Sequence, residues 1–219
     1  ELEQLEGLAR IRLNSVEPGY LSDALIDFAA ASPKFCRHFH IPLQSGDDSI
    51  LRRMGRRYSR AHYADRVERI MAQIPDCAIG VDVMVGFPGE GEQPFVNTYS
   101  LLSGLPVAYL HVFSFSLRSG TPAARLGDHQ TNRTKKDRAH RLIELSHQKR
   151  LAFHRRFVGR TLQVLVEERR DRATGLAVGL TDNYIKTLFP EGDGLVNHLL
   201  PVRIDRARED LVFGELVTR

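Results

Sequence analysis

Tryptophan is absent from the 219 residues, and cysteine occurs only twice, at Cys36 and Cys77. Two thiols so far apart in the chain make neither a disulfide framework nor a metal-ligand cluster of the CxxC kind, so both read as small buried hydrophobes. No apolar run approaches the roughly 20 residues that a membrane span requires, and no charged, apolar, small-residue leader opens the sequence. A cytoplasmic setting without membrane contact is therefore expected. What is present is ordinary for a globular protein: 42% hydrophobic and 26% charged residues, enough for a medium domain and a small one. The first residue is Glu1, and Leu2, Leu5 and Leu8 continue a helical spacing, which predicts a chain that continues upstream.

The net charge of +4 is unevenly spread. Between Arg125 and Arg170 there are 13 Lys or Arg against 5 Asp or Glu, so this stretch carries +8 and the remainder −4. A basic block of this kind suits a polyanion such as nucleic acid, and it equally suits a solvated helix face.

Four segments, at 10–17, 37–44, 78–86 and 109–116, repeat one pattern: a β-rich run, then Gly or Pro, then a helical stretch. Helices are predicted at 20–31, 47–55, 59–73 and 92–104, and strands alternating with helices indicate a parallel βα arrangement. The runs alternate in polarity. Ile79, Val81, Val83 and Val85 share one face while Gly80, Asp82, Met84 and Gly86 share the other; Phe39, Ile41 and Leu43 likewise oppose His38, His40, Pro42 and Gln44. Strands covered on both faces would be continuously aliphatic, and a closed eight-stranded barrel fills its interior with bulky side chains. The polar face thus predicts an open or incomplete barrel around a ligand cavity, the alternative being a face turned to solvent.

Beyond Pro122 the pattern changes. Residues 131–156 read as one long basic helix. Runs beginning at Gly159 and at 176–180, 184–189, 194–205 and 211–217 read as about five short strands of a small antiparallel barrel of the oligonucleotide-binding type. The expected division is 1–156 and 157–219.

Two turns stand where strands end. Gly86-Phe87-Pro88-Gly89-Glu90 offers a close backbone approach, a stiffened corner and a carboxylate able to cap the next helix; a plain tight turn would read the same way. His40-Ile41-Pro42-Leu43-Gln44-Ser45-Gly46 supplies Gln44 and Ser45 as hydrogen-bonding groups for a ribose or an amino-acid moiety. His38 and His40 share a strand face, either as hydrogen-bonded lumen residues or as two metal ligands lacking a third.

The strings RIRLNSVEP, CRHFHIPLQSGDD, IGVDVMVGFPGE and YLHVFSFSLRSGTPA, in this order and spacing, resemble the last four strands of the barrel in radical S-adenosylmethionine (SAM) methylthiotransferases. The β-rich tail resembles the TRAM domain that follows it in that family. Ser-x-Glu-Pro, Cys-Arg-His and GLTDNYIK resemble the branch acting on N6-threonylcarbamoyladenosine at tRNA position 37. The resemblance implies a 5′-deoxyadenosyl radical generated from SAM by a [4Fe–4S] cluster and a methylthio group installed at C2 of the adenine.

It also implies a cofactor pocket from Ser15, Glu17, His40, Gln44, Ser45, Gly46, Asp82, Gly86, Phe87, Pro88, Gly89, Glu90 and Arg118. Its implied partners are the anticodon stem-loop of tRNA and a protein reductant. Candidate RNA contacts are Arg133, Lys135, Lys136, Arg138, Arg141, Lys149, Arg150, Arg155 and Arg156 through phosphates, and Tyr184 through base stacking. The family holds its clusters with spaced cysteine triplets, which this sequence does not contain, so the chain alone is expected to hold no cluster, to ligate no metal and to be inactive. Asp47, Gly91, Leu117 and Ser119 depart from the family's usual Ser, Thr and prolines. Two other readings stay open: a non-catalytic RNA-binding protein with a cluster-free barrel, and the relative that modifies a ribosomal protein.

Overall fold

A computed structural model describes residues 2–190 and 194–217. By its internal contacts the chain divides into two compact units. One comprises Leu13–Ala31 with Phe39–Ser146; the other comprises Glu1–Arg12, Ser32–His38 and His147–Arg219.

The first unit is built on a three-stranded sheet of β1 (His38–His40), β2 (Ala78–Val85) and β3 (Tyr109–Ser114), in that spatial order, with β2 and β3 parallel. Helices α1 (Asp23–Ala31), α2 (Asp48–Arg53), α3 (Arg60–Gln73) and α4 (Glu92–Gly104) accompany it, as does the long α5 (Asn132–Arg155) as far as Ser146. Local chemistry starts two of them: Asp47 accepts from the N–H groups of Ser49 and Ile50 ahead of α2, and the Ser59 hydroxyl accepts from His62 N–H ahead of α3. Phe39, Ile41, Leu43, Ile79, Val81, Val83 and Val85 are all fully buried, whereas Asp82 and Met84 stay partly open, so the alternation in the sequence is the alternation of the faces.

The first predicted strand, 10–17, does not form as a regular strand. It makes one bridge, Ile11 with Phe35, and one bond from Val16 N–H to the His40 carbonyl at 2.9 Å. Ser15 adopts φ 47°, a left-handed conformation that ends extended structure. The second, predicted to span 37–44, is regular only over His38–His40, yet its pairing runs on: Ile41 and Leu43 donate to the Gly80 and Asp82 carbonyls at 2.9 and 3.0 Å, Pro42 between them lacks an N–H, and the run ends at a bridge between Gln44 and Val83.

In the second unit β4 (Thr161–Arg170), β5 (Ala177–Thr181), β6 (Lys186–Phe189), β7 (Leu199–Ala207) and β8 (Val212–Leu216) close into a barrel of order β4-β5-β6-β8-β7. The barrel is antiparallel, as expected, at four ladders, and at the fifth β6 and β8 run parallel, Thr187 opposite Val212. A closed ring of five strands cannot alternate direction all the way round, so one parallel pair is required. Leu162, Val164, Val166, Val178, Leu188, Val202, Ile204 and Val212 are buried, and Phe157, just beyond α5, is fully so. The N-terminal segment is tied to this barrel through Arg10, whose guanidinium donates to the carbonyls of Leu180 at 2.9 Å and Gln163 at 2.7 Å.

Candidate functional site

In a parallel sheet every strand ends at the same edge, and here three chain reversals meet along that edge. Gln44 N–H donates to the Asp82 carbonyl at 2.9 Å and the Gln44 carbonyl accepts from Met84; Phe115 N–H donates to the Val85 carbonyl at 2.8 Å. Gln44 thus stands beside Val83, three residues before Gly86, and Gly86 stands beside Phe115, all near the ends of adjacent strands. Gln44 holds φ 64° and Gly86 φ 75°. For Gln44 this left-handed backbone is unfavourable, a kind of local strain that concentrates at functional sites. Tyr58 supports the same bend, its hydroxyl donating to the carbonyls of Pro42 and Leu43; burial pushes this phenol up to about 12.

Below the edge, on the polar face, His40 Nε2 lies 2.9 Å from Asp82 Oδ1, and His40 Nδ1 lies 3.0 Å from Ser15 Oγ. With Asp82 ionised, Nε2–H donates to the carboxylate and Nδ1 accepts from the serine hydroxyl, so both ring nitrogens are occupied. The His111 ring meets His40 and Tyr109 edge-on, with centroids at 5.6 and 5.2 Å. Tyr109 reaches this position because Gly80, directly opposite it in register, has no Cβ to collide with its ring. Tyr58, Tyr109 and His111 were not among the sequence candidates; alternation puts Tyr109 and His111 on the polar face of β3, but the register that sets them opposite Gly80 and Asp82 cannot be read from the sequence.

The Gly86–Glu90 turn is held from inside. Phe87 is buried with Ile50 and Phe115. Glu90 is fully buried: its Oε2 accepts from Gly86 N–H at 2.5 Å and from Arg138 Nη1 at 3.1 Å, while Arg138 also donates to the Glu90 carbonyl at 2.5 Å. Burial pushes the Glu90 carboxyl up, opposed by Gly86 N–H and by the Arg138 charge. Glu90 thus closes its own turn from within and does not cap α4, whose first residue follows Gly91, a residue without a side-chain cap bond. Ser45 is likewise inside, its hydroxyl 3.4 Å from that of Thr98, which also receives Gly46 N–H at 2.9 Å. Asp47 takes the Asn97 amide at 2.7 Å besides starting α2. Ser15, Glu17 and Arg118 are exposed, and Glu17 pairs with Arg56.

The basic candidates separate by environment. Arg138 is 4% exposed and spends its guanidinium on Glu90 and Glu92, so it faces inward and not toward a phosphate. Lys135 lays its stem across Gly86, where a Cβ would collide with it, and donates to the Phe115 carbonyl at 3.1 Å. Arg141 packs over Phe95 at 4.5 Å and lies 3.6 Å from Glu92. Lys149 and Arg150 are half-buried; burial pushes the Lys149 amine down. Arg133, Lys136, Arg155 and Arg156 are exposed.

Tyr184, placed in the notional RNA set, is 47% exposed with φ 66° and has the Arg12 guanidinium 4.2 Å over its ring and the His38 ring at 4.7 Å. Arg37 pairs with Asp182 beside it at 2.6 Å. Its ring already carries an internal stack, which a base would have to share or displace. Cys36, in the same unit, is buried, and its thiol is pushed up by burial despite Arg12 and Arg10 nearby.

Two family profiles match the chain: the radical SAM superfamily over residues 1–102 and the TRAM domain over 155–217. The threonylcarbamoyladenosine tRNA methylthiotransferase of Bacillus subtilis is 37% identical over 216 residues, covering 98% of this chain and 48% of that protein. The tRNA-2-methylthio-N6-dimethylallyladenosine synthases of Pelotomaculum thermopropionicum and Thermus thermophilus are 36% and 37% identical, with 94% and 96% of this chain covered. The chain belongs to the radical SAM methylthiotransferase family. It spans about half the length of these curated relatives. In fold it is similar to coproporphyrinogen III oxidase of Escherichia coli, a radical SAM enzyme, with a TM-score of 0.54 at 16% identity over 87% of this chain and 50% of that one.

The family's [4Fe–4S] clusters do not fit the residues present. Among the described residues no three His, Cys, Asp or Glu side chains converge as ligands, and the two thiols are buried. S-adenosylmethionine does find suitable groups: the Gln44 amide and Asp82 Oδ2 make no side-chain hydrogen bond among the described residues, and both belong to the strand-end region. No helix of the described residues is long and apolar enough to cross a membrane.

Proposed function

We propose that the full-length protein adds a 2-methylthio group to N6-threonylcarbamoyladenosine at tRNA position 37, in the cytoplasm, with an anticodon stem-loop as its RNA partner and a protein reductant for its clusters. The observation that carries this reading is the 37% identity to the Bacillus subtilis enzyme along 98% of the chain, supported by the Ser-x-Glu-Pro, Cys-Arg-His and GLTDNYIK strings. In this reading residues 1–156 are the end of the SAM barrel with its basic helix, and 157–219 are the RNA-binding barrel.

Gln44, Asp82, Gly86 and Gly89 would face the adenosyl cofactor, with Ser15 and His40 setting the Asp82 carboxylate and with Phe87, Pro88 and Glu90 fixing the turn. Ser45 and Gly46 would shape the first bend, and Glu17 and Arg118 would flank the opening. When bound, the cofactor supplies the carbon radical; these residues orient it and keep water out. The chain by itself would hold no cluster and be inactive.

The test is mass spectrometry of tRNA nucleosides from cells lacking the full-length gene. Loss of the methylthio group from threonylcarbamoyladenosine is expected. Loss from dimethylallyladenosine alone would replace the substrate with that of the other relatives. Unchanged tRNA would favour the non-catalytic RNA-binding reading or the ribosomal-protein one.

A further inference from the structure

The chain leaving β3 and the first turns of α5 enclose a groove of about 560 Å³, lined by Ser114, Phe115, Ser116, Asn132, Lys135 and Lys136 among others. Its volume is that of a nucleotide-sized ligand site. None of its lining residues is acidic, although the whole chain holds 27 Asp or Glu. The stem of Lys135 lies on Gly86, and one of its three N–H groups donates to the Phe115 carbonyl at 3.1 Å, leaving two for a ligand. Lys136 is exposed and has no ion pair or side-chain hydrogen bond among the described residues. Asn132 and the two serines add neutral donors, and α5 presents its N-terminal dipole here. Phe115 offers a buried aromatic wall, and it also carries the backbone bond to the strand-end edge described above.

We propose that this groove holds one RNA nucleotide next to the modified adenosine, its phosphodiester on Lys135 and Lys136 and its ribose over the Ser114–Ser116 segment. The inference rests on the tRNA reading and deepens it: it names where a flanking phosphate sits relative to the Gly86 turn. A phosphodiester fits better than a cofactor carboxylate, because the two ammonium groups stand at an open surface and the space exceeds what a carboxylate fills.

The experiment uses the full-length protein and a synthetic anticodon stem-loop, with RNA affinity measured by fluorescence anisotropy across a salt series and S-adenosylmethionine affinity measured separately by calorimetry. Lys136→Ala, and Lys135→Met, which keeps the stem on Gly86, are each expected to weaken RNA binding about threefold to tenfold, and because both face one phosphate the two together are expected to reduce the salt slope by roughly 0.7 to 0.9. The cofactor affinity should stay unchanged. Replacing a single flanking phosphate by methylphosphonate should weaken the wild type as the two substitutions together do, and add nothing to the variant that combines them. Unchanged RNA affinity and slope in both variants, with the wild type binding, would overturn the groove and leave the tRNA reading intact. A fall in cofactor affinity with RNA binding untouched would overturn it in favour of a carboxylate site. A wild type that binds no stem-loop at all would overturn both.

Discussion

A buried carboxylate held by a buried guanidinium is tolerated only as a pair. Glu90 is fully buried and Arg138 is 4% exposed, so replacing Arg138 with Ala strands a charge in the interior and is expected to cost about 3–5 kcal/mol in denaturant unfolding. Glu90→Gln in the Arg138→Ala background should recover part of that loss by removing the stranded charge. The sign with pH follows from the raised carboxyl of Glu90. A raised acid favours folding below its unfolded value, about 4.3, and that contribution is lost as pH rises through the folded value. The Arg138→Ala deficit should therefore shrink in acid, and a deficit that grew there would contradict the pairing. His154 runs the other way. Burial pushes its imidazole down, helped by Arg150 and opposed by a bond to the Arg208 carbonyl at 2.7 Å. A depressed imidazole stabilises the fold above its unfolded value, about 6.5, and the contribution is lost as pH falls through the folded value. Melting temperatures between pH 8 and 5 should decline on the acid side, and His154→Gln should flatten that decline.

At the scale of elements, the barrel depends on strands that approach closely at glycine. A Cβ at Gly214 would collide with the Arg203 carbonyl on β7, and one at Gly179 with the Val164 side chain on β4. The obstacle at Gly214 is backbone, which cannot rotate aside. Gly214→Ala should therefore cost more than Gly91→Ala, where a Cβ would meet nothing nearer than 4.0 Å; circular dichroism melts of both variants check the order. Such packing is what the sequence conceals. Its period-two alternation revealed β2 and the polar sheet face, and its turn residues revealed five barrel strands. The helices at 47–55 and 59–73 form as Asp48–Arg53 and Arg60–Gln73 because caps and apolar spacing act within a few residues. The segment at 10–17 misled: it has a strand's alternation, yet its backbone pairs only at Ile11 and Val16, its Arg10 side chain goes to the carbonyls of Gln163 and Leu180, and its backbone turns left-handed at Ser15. Charge was equally opaque. Arg138 and Arg133 look alike in a basic run, and only the facing helix and turn decide that one is spent on Glu90 and the other is free to meet solvent.

For the whole molecule, cluster chemistry and RNA affinity should come apart, because they rest on different residues. A [4Fe–4S] cluster needs spaced thiolates, and this chain offers two buried cysteines, the Cys36 thiol pushed up by its burial. Anaerobic reconstitution of the 219-residue chain with iron and sulfide is expected to leave substoichiometric iron and acid-labile sulfide. A full cluster per chain would mean that residues outside the family pattern bind it. RNA affinity instead needs exposed cations, and Arg133, Lys136 and Arg155 are exposed and make no ion pair among the described residues. Each neutralised phosphate adds about 0.7 to 0.9 to the slope of log affinity against log salt. Three such contacts imply a loss of roughly twentyfold to fortyfold between 50 and 200 mM salt. Anisotropy titrations of the cluster-free chain with an anticodon stem-loop check this. Affinity independent of salt would show that the basic stretch is a solvated helix face and that RNA recognition lies elsewhere in the protein.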